Sequence, residues 1–116
     1  MNIQLTVAYV AFGGNTGQGA YFYSYSPDII QVTEKDTKMN FVLSDATDER
    51  FIINQLVSTD ANQQFEPALL EQGKRSIRVM NKNTHSQLTM VSVLVQDTTT
   101  GAYISCDPQV LNVPDE

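Results

Sequence analysis

The residues of this chain that carry chemistry are carboxylates placed beside proline. Asp107–Pro108 lies in the run Tyr103-Ile104-Ser105-Cys106-Asp107-Pro108-Gln109-Val110, and Glu66–Pro67 is the second acid-proline pair. An aspartate side chain can close a five-membered ring onto its own main-chain carbonyl. A following proline makes that carbonyl a tertiary amide whose nitrogen leaves readily, so the Asp107–Pro108 bond is a weak point. Its hydrolysis from within the chain would use two carboxyl groups in different protonation states, one attacking or activating and the other donating a proton. In one route the Asp107 carboxylate attacks its own carbonyl to form a cyclic anhydride while a second acid protonates the departing proline nitrogen. In the other, a neighbouring aspartate activates a water that attacks the same carbonyl. Asp97 and Glu66 are the candidate assisting acids. Each also has a structural role open to it: Asp97 as a loop residue binding backbone amides, Glu66 as a charge at a helix start, and Asp107 as a strand-end residue before proline.

Other chemistries find little support. His85 is the only histidine and Cys106 the only cysteine, so a metal site is not expected. The acidic stretch Asp45-Ala46-Thr47-Asp48-Glu49 lacks the alternating ligands and central glycine of a calcium loop. The Gly-rich segment Gly13-Gly14-Asn15-Thr16-Gly17-Gln18-Gly19 lacks the lysine and following helix of a phosphate cradle and reads as a flexible hairpin tip. No cofactor is expected. A net charge of −6 with seven Lys and Arg opposes nucleic-acid binding. No run of about 20 apolar residues suggests a membrane span, and no basic flank or small-residue cleavage site suggests a signal peptide. A lone cysteine, read as a small buried hydrophobe, agrees with a cytoplasmic setting.

Period-two alternation must position the acids. Ile3, Leu5, Val7, Tyr9 and Ala11 alternate with Gln4, Thr6 and Ala8, and similar runs predict strands at Ile3–Ala11, Ala20–Ser24, Ile29–Thr33, Met39–Leu43, Ile52–Val57, Ser76–Met80, Leu88–Gln96, Ala102–Cys106 and Gln109–Val113. The one helix expected is Glu66–Gln72, with Pro67 in its first turn and Gly73 at its stop. Length and pattern together predict a single all-β domain over residues 1–116, an antiparallel two-sheet β-sandwich of immunoglobulin-like layout. Asp97-Thr98-Thr99-Thr100-Gly101 would close a hairpin that sets Asp107 opposite Thr89–Ser92, with Asp107 itself at a local break in its strand.

The acid-proline pairs Asp107–Pro108 and Glu66–Pro67, in an all-β chain of this size, resemble the DP-EP family of small bacterial β-sandwich proteins. The resemblance implies intramolecular, aspartic-peptidase-like self-cleavage at Asp107–Pro108, with the C-terminal segment Pro108–Glu116 as the chain's own partner. It also raises an isopeptide between Asp107 and a lysine; Lys82 is the nearest candidate, and no lysine lies in Thr89–Ser92. The competing reading is a non-catalytic module binding an unknown protein through the Gly-rich loop and Tyr21-Phe22-Tyr23-Ser24-Tyr25. Alternation puts the three tyrosines of that strand on one face and Phe22 on the other.

Overall fold

Ile3, Leu5 and Val7 are buried while Asn2, Gln4 and Ala8 between and beyond them are exposed, so the first run of alternation becomes a strand with one face in the core. The computed structural model describes residues 1–60 and 63–114, and it repeats this pattern most clearly in Thr37–Leu43, Ser76–Asn81, Gln87–Asp97 and Tyr103–Cys106. The strands are β1 (Asn2–Tyr9), β2 (Tyr21–Ser26), β3 (Ile30–Val32), β4 (Thr37–Leu43), β5 (Phe51–Ser58), β6 (Leu69–Leu70), β7 (Ser76–Asn81), β8 (Gln87–Asp97), β9 (Tyr103–Cys106) and β10 (Gln109–Asn112). One sheet has the order β2-β1-β4-β7-β6 and the other β3-β10-β8-β5, with β9 pairing β8 beyond the end of β10. Their inner faces share a core built on Phe41, Phe51, Ile3, Leu5, Ile53 and Ile104.

The all-β sandwich expected from the pattern is present, with two differences. The sheets are mixed: β1 pairs β4 in parallel and β10 pairs β3 in parallel. The chain leaves the first sheet after β2, places β3 in the second, and returns as β4 in the direction of β1. Alternation dictates which face of a strand is buried but not which neighbour it takes. The expected helix over Glu66–Gln72 is absent, and Leu69–Leu70 forms β6 against β7 instead. Seven residues close too few helical bonds to offset nucleation, whereas β7 offers main-chain partners at once: Phe65 bridges Asn81 and the Glu66 amide donates to the Met80 carbonyl at 2.8 Å.

β8 is the long strand on which the C-terminal part is built. It pairs β5 along one side, across a bulge between Ile53 and Gln55, and takes β9 and then β10 along the other. Cys106 lies opposite Val93 and Gln109 opposite Met90, which is one unbroken register; Asp107 therefore stands opposite Ser92 and Pro108 opposite Val91. The side chains keep time with it. Ile104, Cys106, Pro108, Val110 and Asn112 are buried, and Ser105, Asp107 and Leu111 are exposed. The expected break at Asp107 is thus a lapse of pairing without a slip of register. The Val91 amide still donates to the Pro108 carbonyl at 3.1 Å, and proline has no hydrogen to return.

β10 is also fastened to the opposite sheet. The buried amides of Asn81 (β7) and Asn112 (β10) exchange hydrogen bonds of 2.7 and 3.1 Å, and the Asn83 amide reaches the carbonyls of Val32 and Glu34. Asn81→Ala strands the buried Asn112 amide and is expected to cost about 2 kcal/mol. In urea denaturation, Asn81→Ala/Asn112→Ala should lose clearly less than the sum of the single variants.

Candidate functional site around Asp107–Pro108

Carbonyls along a strand alternate between its two sides, so the direction of the Asp107 carbonyl follows from its neighbours. The Pro108 carbonyl faces β8, where Val91 donates to it, and the Ser105 carbonyl faces away, where the Thr16 hydroxyl donates to it at 2.6 Å. The Asp107 carbonyl, two residues on from Ser105, faces away from β8 as well. Between these anchors the Tyr25 hydroxyl donates to the Cys106 carbonyl at 2.8 Å. Ser105, Cys106 and Pro108 are each held through their carbonyls, and the Asp107–Pro108 bond lies within that grip.

The Asp107 side chain is exposed and oriented by serines. Ser105 Oγ donates to Asp107 Oδ1 at 2.8 Å, and Ser92 Oγ lies 2.6 Å from Ser105 Oγ. The Ser105 hydrogen being committed to the carboxylate, Ser92 is the donor in the second bond. An open groove of about 650 Å³ runs past this carboxylate, lined by Tyr23, Tyr25, Ser26, Pro27 and Asp28 together with Asp107 and Pro108. Asp28, in the connection between β2 and β3, is thus the second carboxylate of the groove.

Burial dominates the titration of the two groups beneath. It raises the Tyr25 phenol far above its ordinary value, with Cys106, Tyr23 and Asp107 adding to the effect, so Tyr25 remains a neutral donor. Burial, reinforced by the Asp107 charge, pushes the Cys106 thiol up to about 12. A thiol so raised is no nucleophile at neutral pH, and the reading of Cys106 as a buried hydrophobe stands.

Glu66 and Asp97 are not brought to Asp107. Asp97 is fully buried where β8 ends and lies opposite Ala102, five residues and about 16 Å along the strand from Asp107. Arg50 grips both its oxygens at 2.8 and 2.6 Å, Tyr21 donates to Oδ2 at 2.7 Å and the Thr99 amide to Oδ1 at 3.0 Å. The Arg50 contact, against burial and with help from Tyr21 and Thr99, holds Asp97 well below the usual carboxylate range. It is a fixed anion, the opposite of the raised acid that cleavage requires. Glu66 is attached to the outer side of β7, four strand spacings or about 19 Å across the first sheet from β2 and the groove. Lys82 follows β7 next to Asn81, which lies against Asn112; Asn112 is five residues along the strand from Asp107. The geometry gives the isopeptide no support.

The Gly-rich segment is folded back onto β2 as a docked loop. Thr16 and Tyr21 exchange main-chain bonds, and the Asn15 amide exchanges two bonds with the Tyr23 backbone. A Cβ on Gly14 would lie 1.9 Å from the Tyr21 carbonyl oxygen, so only glycine allows this approach, and with it the Thr16 contact to Ser105. The three tyrosines of β2 share one face, as alternation predicts, and that face is the inner one: Tyr21 is buried, Tyr23 and Tyr25 are half-buried with their rings edge to face at 5.9 Å, and Phe22 is outside. Tyr21, Tyr23 and Tyr25 therefore form no exposed patch.

Sequence reasoning did not single out Asp28 or Ser105; it placed Ser92 within the run expected opposite Asp107, as the register shows, but gave Tyr25 and Thr16 only to a partner-binding reading. The one local signal was the turn chemistry of Ser26-Pro27-Asp28; the others meet Asp107 only through pairing and loop docking.

Fold and site define an all-β sandwich protein in which an Asp-Pro bond is gripped within a strand beside a groove containing a second carboxylate. The DP-EP family matches residues 1–114, and the chain belongs to that family. No curated protein matches it. Among the described residues, no helix is long and apolar enough to cross a membrane.

In the folded protein Cys106 should resist thiol reagents at pH 8 and react at once in denaturant, as followed by mass spectrometry. Asp97→Ala, leaving Arg50 and Tyr21 without their anion, should cost about 3 kcal/mol in denaturant titration. A carboxylate lowered by folding contributes fully above its unfolded pKa of about 4 and loses that contribution as pH falls below it. The variant should therefore lose less stability than wild type between neutral pH and pH 3.

Proposed function

We propose that the protein is a single-turnover, aspartic-type peptidase acting on its own Asp107–Pro108 bond, in the bacterial cytoplasm. The observation that carries this reading is the grip on that bond beside a groove in which Asp28 and Asp107 both stand. Membership of the DP-EP family supports it.

In the anhydride route, Asp107 Oδ2, the oxygen away from Ser105, attacks the Asp107 carbonyl carbon. The carbon–nitrogen bond to Pro108 breaks, and protonated Asp28 delivers its proton to the proline nitrogen. Water then opens the anhydride, restoring the side chain and leaving a new α-carboxylate. In the water route, Asp28 takes a proton from the attacking water and returns it to the nitrogen. Each route consumes one water and forms one carboxyl and one secondary amine. Thr16 and Tyr25 hold the preceding peptides, so that the Asp107 carbonyl stays turned to the open side.

Intact-protein mass spectrometry after incubation at mildly acidic and neutral pH is expected to resolve residues 1–107 and 108–116, their summed mass one water above the uncut chain. Asp107→Ala should abolish the products, and Asp28→Asn should slow their formation about 100-fold. A single uncut mass at every pH would refute the proposal.

A further inference from the structure

β10 is an internal strand of its sheet. It pairs β3 through Val110, Leu111 and Asn112 on one side and β8 through Gln109 to Asn112 on the other. Beyond the last ladder pair the Val113 amide donates to the Val32 carbonyl at 2.8 Å. The segment that a break at Asp107–Pro108 would detach is thus held along both edges by main-chain bonds, which are the sequence-independent part of strand addition.

Side chains supply selectivity at two places. Val110, third in the segment, is fully buried in the core. Asn112, fifth in the segment, is fully buried against Asn81, whose Nδ2 donates at 2.7 Å and whose Oδ1 accepts at 3.1 Å. A carboxylate at that position could not donate to Asn81 Oδ1, and an alkyl group would leave the Asn81 amide unpaired.

The nick itself supplies a third determinant. Hydrolysis adds one water across the bond, leaving an ammonium on the Pro108 nitrogen and a second carboxylate on Asp107. The new cation then starts the segment beside both Asp107 carboxylates, in the groove that Asp28 also lines. A positive peptide end meets a wholly acidic slot end.

We infer that the nicked chain is a peptide-binding protein, whose slot between β3 and β8 takes an extended peptide with a free, charged N-terminus, an apolar third residue and asparagine at the fifth. The segment Pro108–Glu116 is that ligand, and it exchanges with the same segment from another copy of this chain. The inference rests on the self-cleavage reading only for the natural origin of the nick.

Dilute acid cuts Asp-Pro bonds under denaturing conditions, and this chain has one such bond. The full chain cut in this way carries the natural ends whether or not it cleaves itself, so failure of self-cleavage and failure of this inference are separable. The cut mixture is neutralised, and Pro108–Glu116 peptide labelled at its C-terminus is added. The labelled peptide is expected to co-elute with residues 1–107 in gel filtration and to compete with unlabelled peptide. Its N-acetylated form, and the form carrying Asn112→Asp, should each bind about tenfold more weakly. Separate elution of peptide and large fragment would overturn the inference, as would equal binding of all three peptides. A cut mixture that stays unfolded by circular dichroism, while uncut chain recovers from the same brief acid treatment, would overturn it too.

Discussion

The C-terminal half of this protein depends on a single strand. β8 pairs β5 on one side and, on the other, accepts β9 and β10 as if they were one strand. Its alternate residues Thr89, Val91, Val93, Val95 and Asp97 all face the interior. A shift of one residue would turn this whole set to solvent, so burial on one face pins the register through Pro108 despite the bond that proline cannot make. Every feature of the candidate site inherits its position from that register: Asp107 opposite Ser92, the carbonyl turned from β8, and Val110 and Asn112 turned inward.

Two buried polar contacts close the sandwich near opposite ends of this run. Near the hairpin, Asp97 joins β8 to Arg50 at the start of β5 and to Tyr21 of β2, and the Arg50 guanidinium lies 5.3 Å from the Tyr9 ring centre and 5.5 Å from that of Phe51. At the far end, Asn81 and Asn112 join β7 to β10. Such contacts cost desolvation and repay it only when every partner is in place; here they fix how the sheets face each other. The Asp107–Pro108 bond lies between the two clamps, in a stretch where neighbouring residues are held and the Asp107 carboxylate is solvent-exposed.

The mixed character of the sheets has a functional side as well. Parallel pairing with β3 makes β10 an internal strand, where purely antiparallel neighbours following chain order would have left it at an edge. The connection that carries the chain from β2 to β3 also brings Asp28 to the groove. One topological crossing therefore supplies both the second carboxylate and the second flank of the terminal strand.

Much of the fold was legible in the sequence because strand burial is written locally, in alternation at period two. All nine runs read in this way are strands, differing by a residue or two at their ends, and Gly101 takes the positive φ of 79° that its hairpin asks of it. The chain by itself also singled out the Asp107–Pro108 pair, since that chemistry is covalent and adjacent, and a lone cysteine already read as a small buried hydrophobe. Tertiary structure decided the rest. The turn of Glu66–Gln72 away from a helix, the parallel pairs, the capture of Asp97 by Arg50 and the meeting of Asp28 and Tyr25 with Asp107 all join residues far apart along the chain. Alternation says which side of a strand is wet and is silent about what lies across from it; that follows only when strands choose neighbours to bury a common core.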